Sequence, residues 1–196
     1  MKVKYFLTVF IAIPYMMVSQ NYKLEVRSSI DYVKTYLIEE SLISTSIKLA
    51  PFQNRIGGRI GLNINRHIVK FLSVDGEISY ALSGVRYPKT VANPRPTDGK
   101  NINVHQICFS LSPIINLNKN WSSGIGILKT FNVASDFDGF KSNNIAYMIN
   151  VKYQKNRWGV GIRYTHFWDE YASLGITKSK QYWETYGLFF SYQISK

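Results

Sequence analysis

The chain has 196 residues, with 24 Lys and Arg against 12 Asp and Glu and a formal net charge of +12. This length fits one domain, and the single cysteine, Cys108, excludes an internal disulfide. The basic residues are scattered, without a basic helix or a cluster of zinc ligands, which argues against a nucleic-acid-binding protein.

The amino terminus has the pattern of a cleaved export signal. Lys2 and Lys4 precede an uncharged apolar run over residues 5–18, which ends at the small Ser19. The run is shorter than the roughly 20 residues that a membrane-spanning helix needs, and Pro14 interrupts it. We therefore predict a signal peptide over residues 1–19 and one exported domain over residues 20–196. An exported basic chain meets anionic lipid head groups and lipopolysaccharide phosphates, which we expect as its partners.

The rest of the chain consists of segments in which large apolar residues alternate with small or polar ones. This period of two is that of a β-strand with one apolar face. After residue 19, no stretch is apolar for long enough to cross a bilayer as a helix. The predicted strands are Tyr22–Val33, Arg55–Asn65, Val69–Tyr87, Ile102–Leu117, Trp121–Ala134, Asn144–Gln154, Trp158–Asp169 and Glu184–Ile194.

The connections between these strands alternate in length. The short ones are Arg66–Ile68, Asn118–Asn120 and Lys155–Arg157, and the long ones follow Val33, Tyr87, Ala134 and Asp169. Short turns at one end and long loops at the other are typical of a transmembrane barrel.

Two places complicate the strand plan. Residues 34–54 are long and partly apolar, so they either extend strands beyond the membrane or supply an additional hairpin. We favour eight strands over ten. Pro113 removes a hydrogen-bond donor from the fourth strand, which predicts a bulge or an early strand end there.

The two faces of the predicted strands differ in residue size as well as polarity. Alternation alone also fits a soluble, lipocalin-like barrel with apolar residues inside. The face opposite the large apolar residues is rich in small and charged residues, which suits a narrow interior better than a solvated surface. It comprises Glu25, Arg27, Gly57, Arg59, Gly61, Asn63, Asp75, Glu77, Ser79, Ala81, Ala146, Asn150, Lys152, Gly159, Gly161, Arg163 and Thr165. We expect charge pairing across the lumen, with Asp75 and Glu77 as partners of Arg59 and Arg163.

The large apolar residues form the face expected to contact lipid. It comprises Ile60, Leu62, Ile64, Ile78, Tyr80, Leu82, Ile107, Phe109, Leu111, Tyr147, Ile149, Val151, Tyr153, Val160, Ile162, Tyr164, Tyr186, Leu188, Phe190, Tyr192 and Ile194. Aromatic residues near strand ends suit a membrane interface, and these are Trp121, Tyr153, Trp158, Trp168 and Trp183. The predicted fold is all-β: an eight-stranded antiparallel up-and-down transmembrane β-barrel.

This architecture, together with a last strand that reads YGLFFSYQISK over residues 186–196, resembles the small outer-membrane β-barrel families of Gram-negative bacteria, such as the OmpA-like barrels. The resemblance covers essentially the whole exported chain. It implies a location in the bacterial outer membrane and is not specific for a function.

A local resemblance concerns the segment GIRYTHFWDEYASLG, residues 161–175. It looks slightly like the penultimate strand of lipid A deacylase barrels, in which a nucleophilic Ser follows a His by two residues. His166 matches the histidine, but Trp168 stands at the nucleophile position. Ser173 and Glu184 are close in sequence and leave a rearranged acyl-transfer site open. The simpler interpretation is an interfacial histidine beside an aromatic girdle.

Other candidate sites are weak. His67 is expected in a turn and His105 on the inward side of the fourth strand, neither with further metal ligands. Asp136, Asp138 and Gly139 lack the remaining ligands of a calcium loop.

We therefore expect a monomeric, integral outer-membrane barrel with a polar, plugged interior and no catalytic residue, cofactor or metal. Its predicted role is structural or surface-binding, through four outer loops that include Pro88–Asn101 and that contact lipopolysaccharide or a protein partner. The alternatives are a lipid A-modifying acyl hydrolase that uses His166 and a narrow transport barrel.

Overall fold

The computed structural model describes residues 22–39, 53–86, 99–136, 142–168, 172–173 and 179–195. The predicted signal peptide and most of the predicted outer loops lie outside these residues. Within the described ranges, there is no helix long and apolar enough to cross a bilayer. The strands are β1 (Tyr22–Glu39), β2 (Arg55–Val69), β3 (Leu72–Arg86), β4 (Asn101–Asn116), β5 (Trp121–Ser135), β6 (Asn143–Lys155), β7 (Trp158–Phe167), β8 (Ala172–Ser173) and β9 (Ser179–Gln193).

Eight of these strands close into a barrel, because β1 pairs with β9 as well as with β2. Arg27 in β1, for example, lies opposite Gly61 on one side and Ser191 on the other. Every pairing is antiparallel, and β8 adds only a two-residue pairing to the outer end of β9. The predicted eight-stranded antiparallel barrel is confirmed. Residues 34–39 extend β1, where Glu39 lies opposite Ser179.

The short connections lie together at one end of the barrel, called the short-turn end below. The turn between β6 and β7 contains Asn156, whose φ of 55° lies in the left-handed region that asparagine tolerates better than most residues. The predicted turn at Arg66–Ile68 is wrong, because β2 continues to Val69 and the turn is Lys70–Phe71. His67 is therefore a strand residue, and its Nδ1 lies 3.0 Å from Ser73 Oγ on β3.

Pro113 neither ends β4 nor shifts its register. It lies opposite Val74 of β3, and β4 continues to Asn116. On the β5 side, the register is the same before and after the proline, with Leu111 opposite Ile127 and Ile114 opposite Gly124. The expected bulge at Pro113 is therefore wrong.

The β4–β5 register shifts instead between His105 and Gln106. His105 was expected to face inward, but its neighbours Val104 and Gln106 are buried inside the barrel, so alternation places His105 on the outside. Its Nδ1 forms a hydrogen bond with the exposed Tyr80 hydroxyl.

Candidate functional site

Among the described residues, eight buried Asp, Glu, Lys and Arg side chains lie inside the barrel and form the luminal ion network. They are Glu25, Arg27, Asp31, Arg59, Asp75, Glu77, Lys152 and Arg163, each no more than 9% exposed. Four are acids and four are bases, so their formal charges cancel. Charges out of water are tolerated when partners compensate them, and this set meets that condition.

Glu77 on β3 is the centre of the network. Its Oε2 accepts hydrogen bonds from Arg27 Nη1 at 2.9 Å and from Arg163 Nη2 at 2.6 Å, and its Oε1 accepts one from Arg163 Nη1 at 3.2 Å. Arg27 Nη2 also donates to Asp75 at 3.3 Å and to Glu25 at 3.4 Å. The two-pronged contact of Arg163 is the strong geometry for a guanidinium and a carboxylate. These contacts tie β1, β3 and β7 together across the lumen.

Two further ion pairs complete the network. Lys152 Nζ lies 2.6 Å from both carboxylate oxygens of Glu25 and joins β6 to β1. Arg59 Nε lies 3.5 Å from Asp31 Oδ2, a contact that was not predicted. The register explains this contact, because Asp31 lies opposite Gly57, the next inward-facing position of the same strand as Arg59.

The Phe189 ring lies among the arginines of the network and is 1% exposed. Its centroid is 4.9 Å from Arg27 Cζ and 5.5 Å from Arg163 Cζ, which are cation–π distances. Gly161 on β7 provides the space for the ring, since a Cβ there would lie 2.4 Å from Phe189 Cζ. Small inward residues thus let the charged and aromatic side chains fill the lumen.

In the half of the lumen nearest the long loops, apolar side chains pack among buried polar ones such as Ser83, Gln106 and Thr130, and we name the apolar set the apolar plug. Its members are at most 3% exposed, and they are Val33, Val85, Val104, Leu128, Met148, Phe167 and Trp183. The interior was expected to be polar, and this half contains a large apolar set as well as polar side chains. Trp183 was predicted in the outer aromatic girdle, but it shares the inward parity of Thr185 and Phe189.

At the short-turn end, the lumen opens into a polar recess with a volume of about 220 Å³. Lys23, Lys70 and Lys119 line it, together with Glu25 and Asp75 of the luminal ion network. The network is therefore reached from the short-turn end, whereas the apolar plug separates it from the long loops.

A second group of polar residues lies on the outer wall near the long-loop end and is named the outer-wall cluster: His166, Glu184, Tyr164 and Tyr186. His166 Nδ1 lies 3.2 Å from Glu184 Oε1, and Tyr164 donates to the same oxygen at 3.1 Å. Tyr186 donates to Glu184 Oε2 at 3.0 Å. The Tyr147 ring packs against His166 with a centroid distance of 5.1 Å.

The structure thus brings together two of the residues singled out for acyl transfer, His166 and Glu184. Trp168, at the position of the nucleophile, is 58% exposed, and its ring centroid is 6.2 Å from that of Tyr147. The side chain of Ser173 lies outside the described residues. Aromatic rings surround His166, and the interfacial histidine stays a prediction.

The outer face between the two ends of the barrel is apolar. Its most exposed isoleucines and leucines include Ile60, Leu111, Ile125, Ile127 and Ile162. Trp158, the first residue of β7, and Trp168, which directly follows its last residue, are also exposed. The two tryptophans are ten residues apart, and each residue of a strand advances about 3.3 Å. With the strand tilted by about 40° to the barrel axis, they lie about 25 Å apart along that axis, which is the height of the apolar band of membrane-spanning barrels. The chain is a β-barrel of the outer-membrane type.

No family model and no curated protein matches this outer-membrane barrel. Among solved structures, it is similar to Ail, the attachment invasion locus protein of Yersinia pestis, at 14% identity over 89% of this chain and 98% of that one, with a TM-score of 0.44. Neisserial surface protein A gives 12% identity over 87% and 97%, with a TM-score of 0.49. The outer membrane protein AlkL gives 14% identity over 91% and 93%, with a TM-score of 0.42. Each likeness concerns the fold alone.

Sequence reasoning missed Asp31 as a member of the luminal ion network and most of the apolar plug. A signal for Asp31 was present, because it continues the inward parity of Glu25 and Arg27. The plug was harder to see, because valine and methionine at inward positions look the same as lipid-facing residues until the two faces are assigned.

Proposed function

We propose that this outer-membrane barrel is a closed, monomeric scaffold with a structural or surface-binding role, carried by the loops between its strands. The observation behind this proposal is that two layers fill the lumen. The luminal ion network occupies the half towards the short-turn end, and the apolar plug occupies the half towards the long loops. A small barrel filled by its own side chains is poorly suited to bulk conduction.

The energetics of the two layers support a closed lumen. A hydrated ion that enters from the short-turn end meets Arg27, Glu77 and Arg163, whose ion pairs it would have to break. Removing one partner of a buried ion pair costs about 3–5 kcal/mol. Beyond them, the nearly fully buried side chains of Leu128 and Trp183 offer no polar group to replace the lost hydration shell, and the buried Ser83 and Gln106 near them are hydrogen-bonded to each other at 2.9 Å.

Planar-bilayer recordings of the full chain test the closed lumen. We expect the parent to give no discrete conductance. Glu77→Ala is expected to be silent as well, because the apolar plug is left intact. A discrete conductance in the parent that changes with Arg59→Ala or Glu77→Ala would contradict the proposal and support a narrow transport barrel.

Loop excision tests the surface-binding role. The variant lacks residues 88–98, which include Arg95, and the control lacks residues 137–141 between β5 and β6. Arg86 Nε donates to Gly99 O at 2.8 Å at the base of the excised loop, so both flanking residues are kept. We expect weaker adhesion to a lipopolysaccharide-coated surface for the first variant alone, with unchanged heat-modifiable gel mobility. Equal adhesion by the parent and both variants would count against binding through this loop.

A second candidate, a lipid A-modifying acyl hydrolase, is favoured by the 3.2 Å contact between His166 and Glu184. The test is release of fatty acid from lipid A by the parent and by His166→Ala. This candidate requires release by the parent and its loss in the variant. Equal release by the two proteins would eliminate it.

A further inference from the structure

The polar recess at the short-turn end opens to the periplasm, because the short turns of outer-membrane barrels lie on that side. Its volume of about 220 Å³ is below the roughly 300–1,000 Å³ of sites for drug-sized ligands. Amide side chains line it, and they are Asn65, Asn116, Asn118, Asn120 and Gln154. The recess therefore suits a small, hydrophilic solute.

Three lysines that line the recess carry charge that the fold does not compensate. Lys23, Lys70 and Lys119 are exposed, and no ion pair among the described residues includes any of them. Each ammonium group is a compact charge with three hydrogen-bond donors. Three such groups around one small recess favour an anion with more than one negative charge.

The two acids of the recess have their own partners. Glu25 lies 2.6 Å from Lys152, and Asp75 lies 3.3 Å from Arg27. Both acids belong to the luminal ion network, in which acids and bases are equal in number, so the network adds no net charge below the recess. The charge that an entering solute meets is therefore that of the three lysines.

A hydrogen-bond relay orients His67, which also lines the recess. Asn116 Nδ2 donates to Ser73 Oγ at 2.8 Å, and Ser73 Oγ lies 3.0 Å from His67 Nδ1. Ser73 is fully buried. With the serine hydroxyl donating to Nδ1, the neutral imidazole carries its proton on Nε2. His67 then has an N–H donor on the side of the ring away from Ser73.

We propose that the recess binds a soluble phosphate monoester, such as a sugar phosphate, from the periplasm. Such a group carries about two negative charges and three strong acceptor oxygens, which match several ammonium groups better than a carboxylate does. Lys23, Lys70 and Lys119 contact the phosphate, His67 Nε2–H donates to it, and amides such as that of Asn118 bind the hydroxyl groups of the sugar.

The position of the recess favours a soluble ligand over a lipid head group. The recess lies inside the ring of strands, whereas the acyl chains of a lipid have to stay against the outer wall. It also lies at the opposite end of the barrel from the long loops. The proposal is therefore independent of the surface-binding role of those loops.

Isothermal titration calorimetry of the full chain in a nonionic detergent tests the site. The probes are glucose 6-phosphate, glucose and dihexanoyl phosphatidic acid, at low ionic strength to keep screening weak. We expect one glucose 6-phosphate per protein, no binding of glucose, and weaker binding of phosphatidic acid, which carries the same phosphate on a lipid body. No binding of glucose 6-phosphate by the parent, or tighter binding of phosphatidic acid, would overturn the proposal.

Two variants remove the groups assigned to the phosphate. One replaces Lys23, Lys70 and Lys119 together by Gln. An exposed ion pair contributes little, about threefold in affinity, so three losses are expected to weaken binding of glucose 6-phosphate about thirtyfold. The other, His67→Phe, keeps an aromatic ring and removes the N–H donor. Loss of a hydrogen bond to a charged group predicts about tenfold weaker binding.

A control with the same change of charge replaces Arg66, Lys155 and Arg157 together by Gln. These three residues are exposed at the same end of the barrel and do not line the recess. The control is expected to bind glucose 6-phosphate within about threefold of the parent, because screening weakens its more distant charges. Equal losses in the two triple variants would indicate unspecific attraction to a basic surface and overturn the proposal. Heat-modifiable mobility verifies that each variant is folded.

Discussion

Glu77→Gln is the sharpest test of the luminal ion network. The substitution keeps the shape of the side chain and removes the charge that faces Arg27 and Arg163. Arg27 keeps Glu25 and Asp75, but Arg163 loses the acid with which it makes its ion pair among the described residues. Leaving a buried charge without its partner costs about 3–5 kcal/mol, and we expect a loss of this size in the free energy of unfolding.

The double variant, Glu77→Gln with Arg163→Gln, measures the coupling free energy between the two side chains. It restores the balance of charges, with Glu25 and Asp75 still facing Arg27 and Lys152. We therefore expect a favourable coupling of about 1–3 kcal/mol relative to the sum of the two single variants. The double variant is expected to lose less stability than the two single variants together, because an unpaired buried charge destabilises the fold more than the absence of both charges.

The assay is reversible urea unfolding of the protein folded in lipid vesicles, followed by tryptophan fluorescence and by gel mobility without boiling. Lys155→Gln is the control, because Lys155 is exposed at the end of β6, and its effect should stay within about 0.5 kcal/mol. A loss below about 1 kcal/mol for Glu77→Gln, or purely additive losses in the double variant, would refute the role assigned to the network.

Two further variants test how the lumen is packed. Gly161→Ala should destabilise the barrel by about 1–3 kcal/mol, because the new methyl group meets the Phe189 ring. Gly76→Ala is its control, since a Cβ there has no atom within 4 Å, and equal effects in urea unfolding would contradict this packing. Trp183→Ala should lower the free energy of unfolding by about 3–5 kcal/mol because it leaves a cavity in the apolar plug. Trp158 is exposed, so Trp158→Ala should lower it by less. The reverse order in the same assay would place Trp183 outside the lumen.

The sequence predicted the strands and faces well because both depend on local alternation. A strand repeats every two residues, so assigning one face of β7 through Gly161 and Arg163 assigns the whole strand. The same rule would have placed His105 outward and Trp183 inward. Those two were misassigned because an isolated histidine or tryptophan was interpreted by residue type instead of by parity.

The partners across the lumen were less predictable, because they depend on how the strands are staggered around the barrel. Lys152 and Glu25 are 127 residues apart in the chain and still lie in contact. Local patterns give no register between such distant segments, which is also why the contact between Arg59 and Asp31 was not predicted. The meeting of His166 and Glu184 also depends on the β7–β9 register, which the sequence alone leaves open.

The most direct test of the central claim, an apolar outside and a filled inside, is a spin-label scan along β5 in vesicles. Single cysteines replace Ile125, Ile127 and the inward-facing Leu128 in turn in a Cys108→Ala background. We expect labels at Ile125 and Ile127 to collide with oxygen dissolved in lipid and to be protected from a water-soluble nickel reagent. A label at Leu128 should show low accessibility to both. High nickel accessibility at Ile125 and Ile127 would contradict a lipid-facing wall and identify a water-soluble barrel instead.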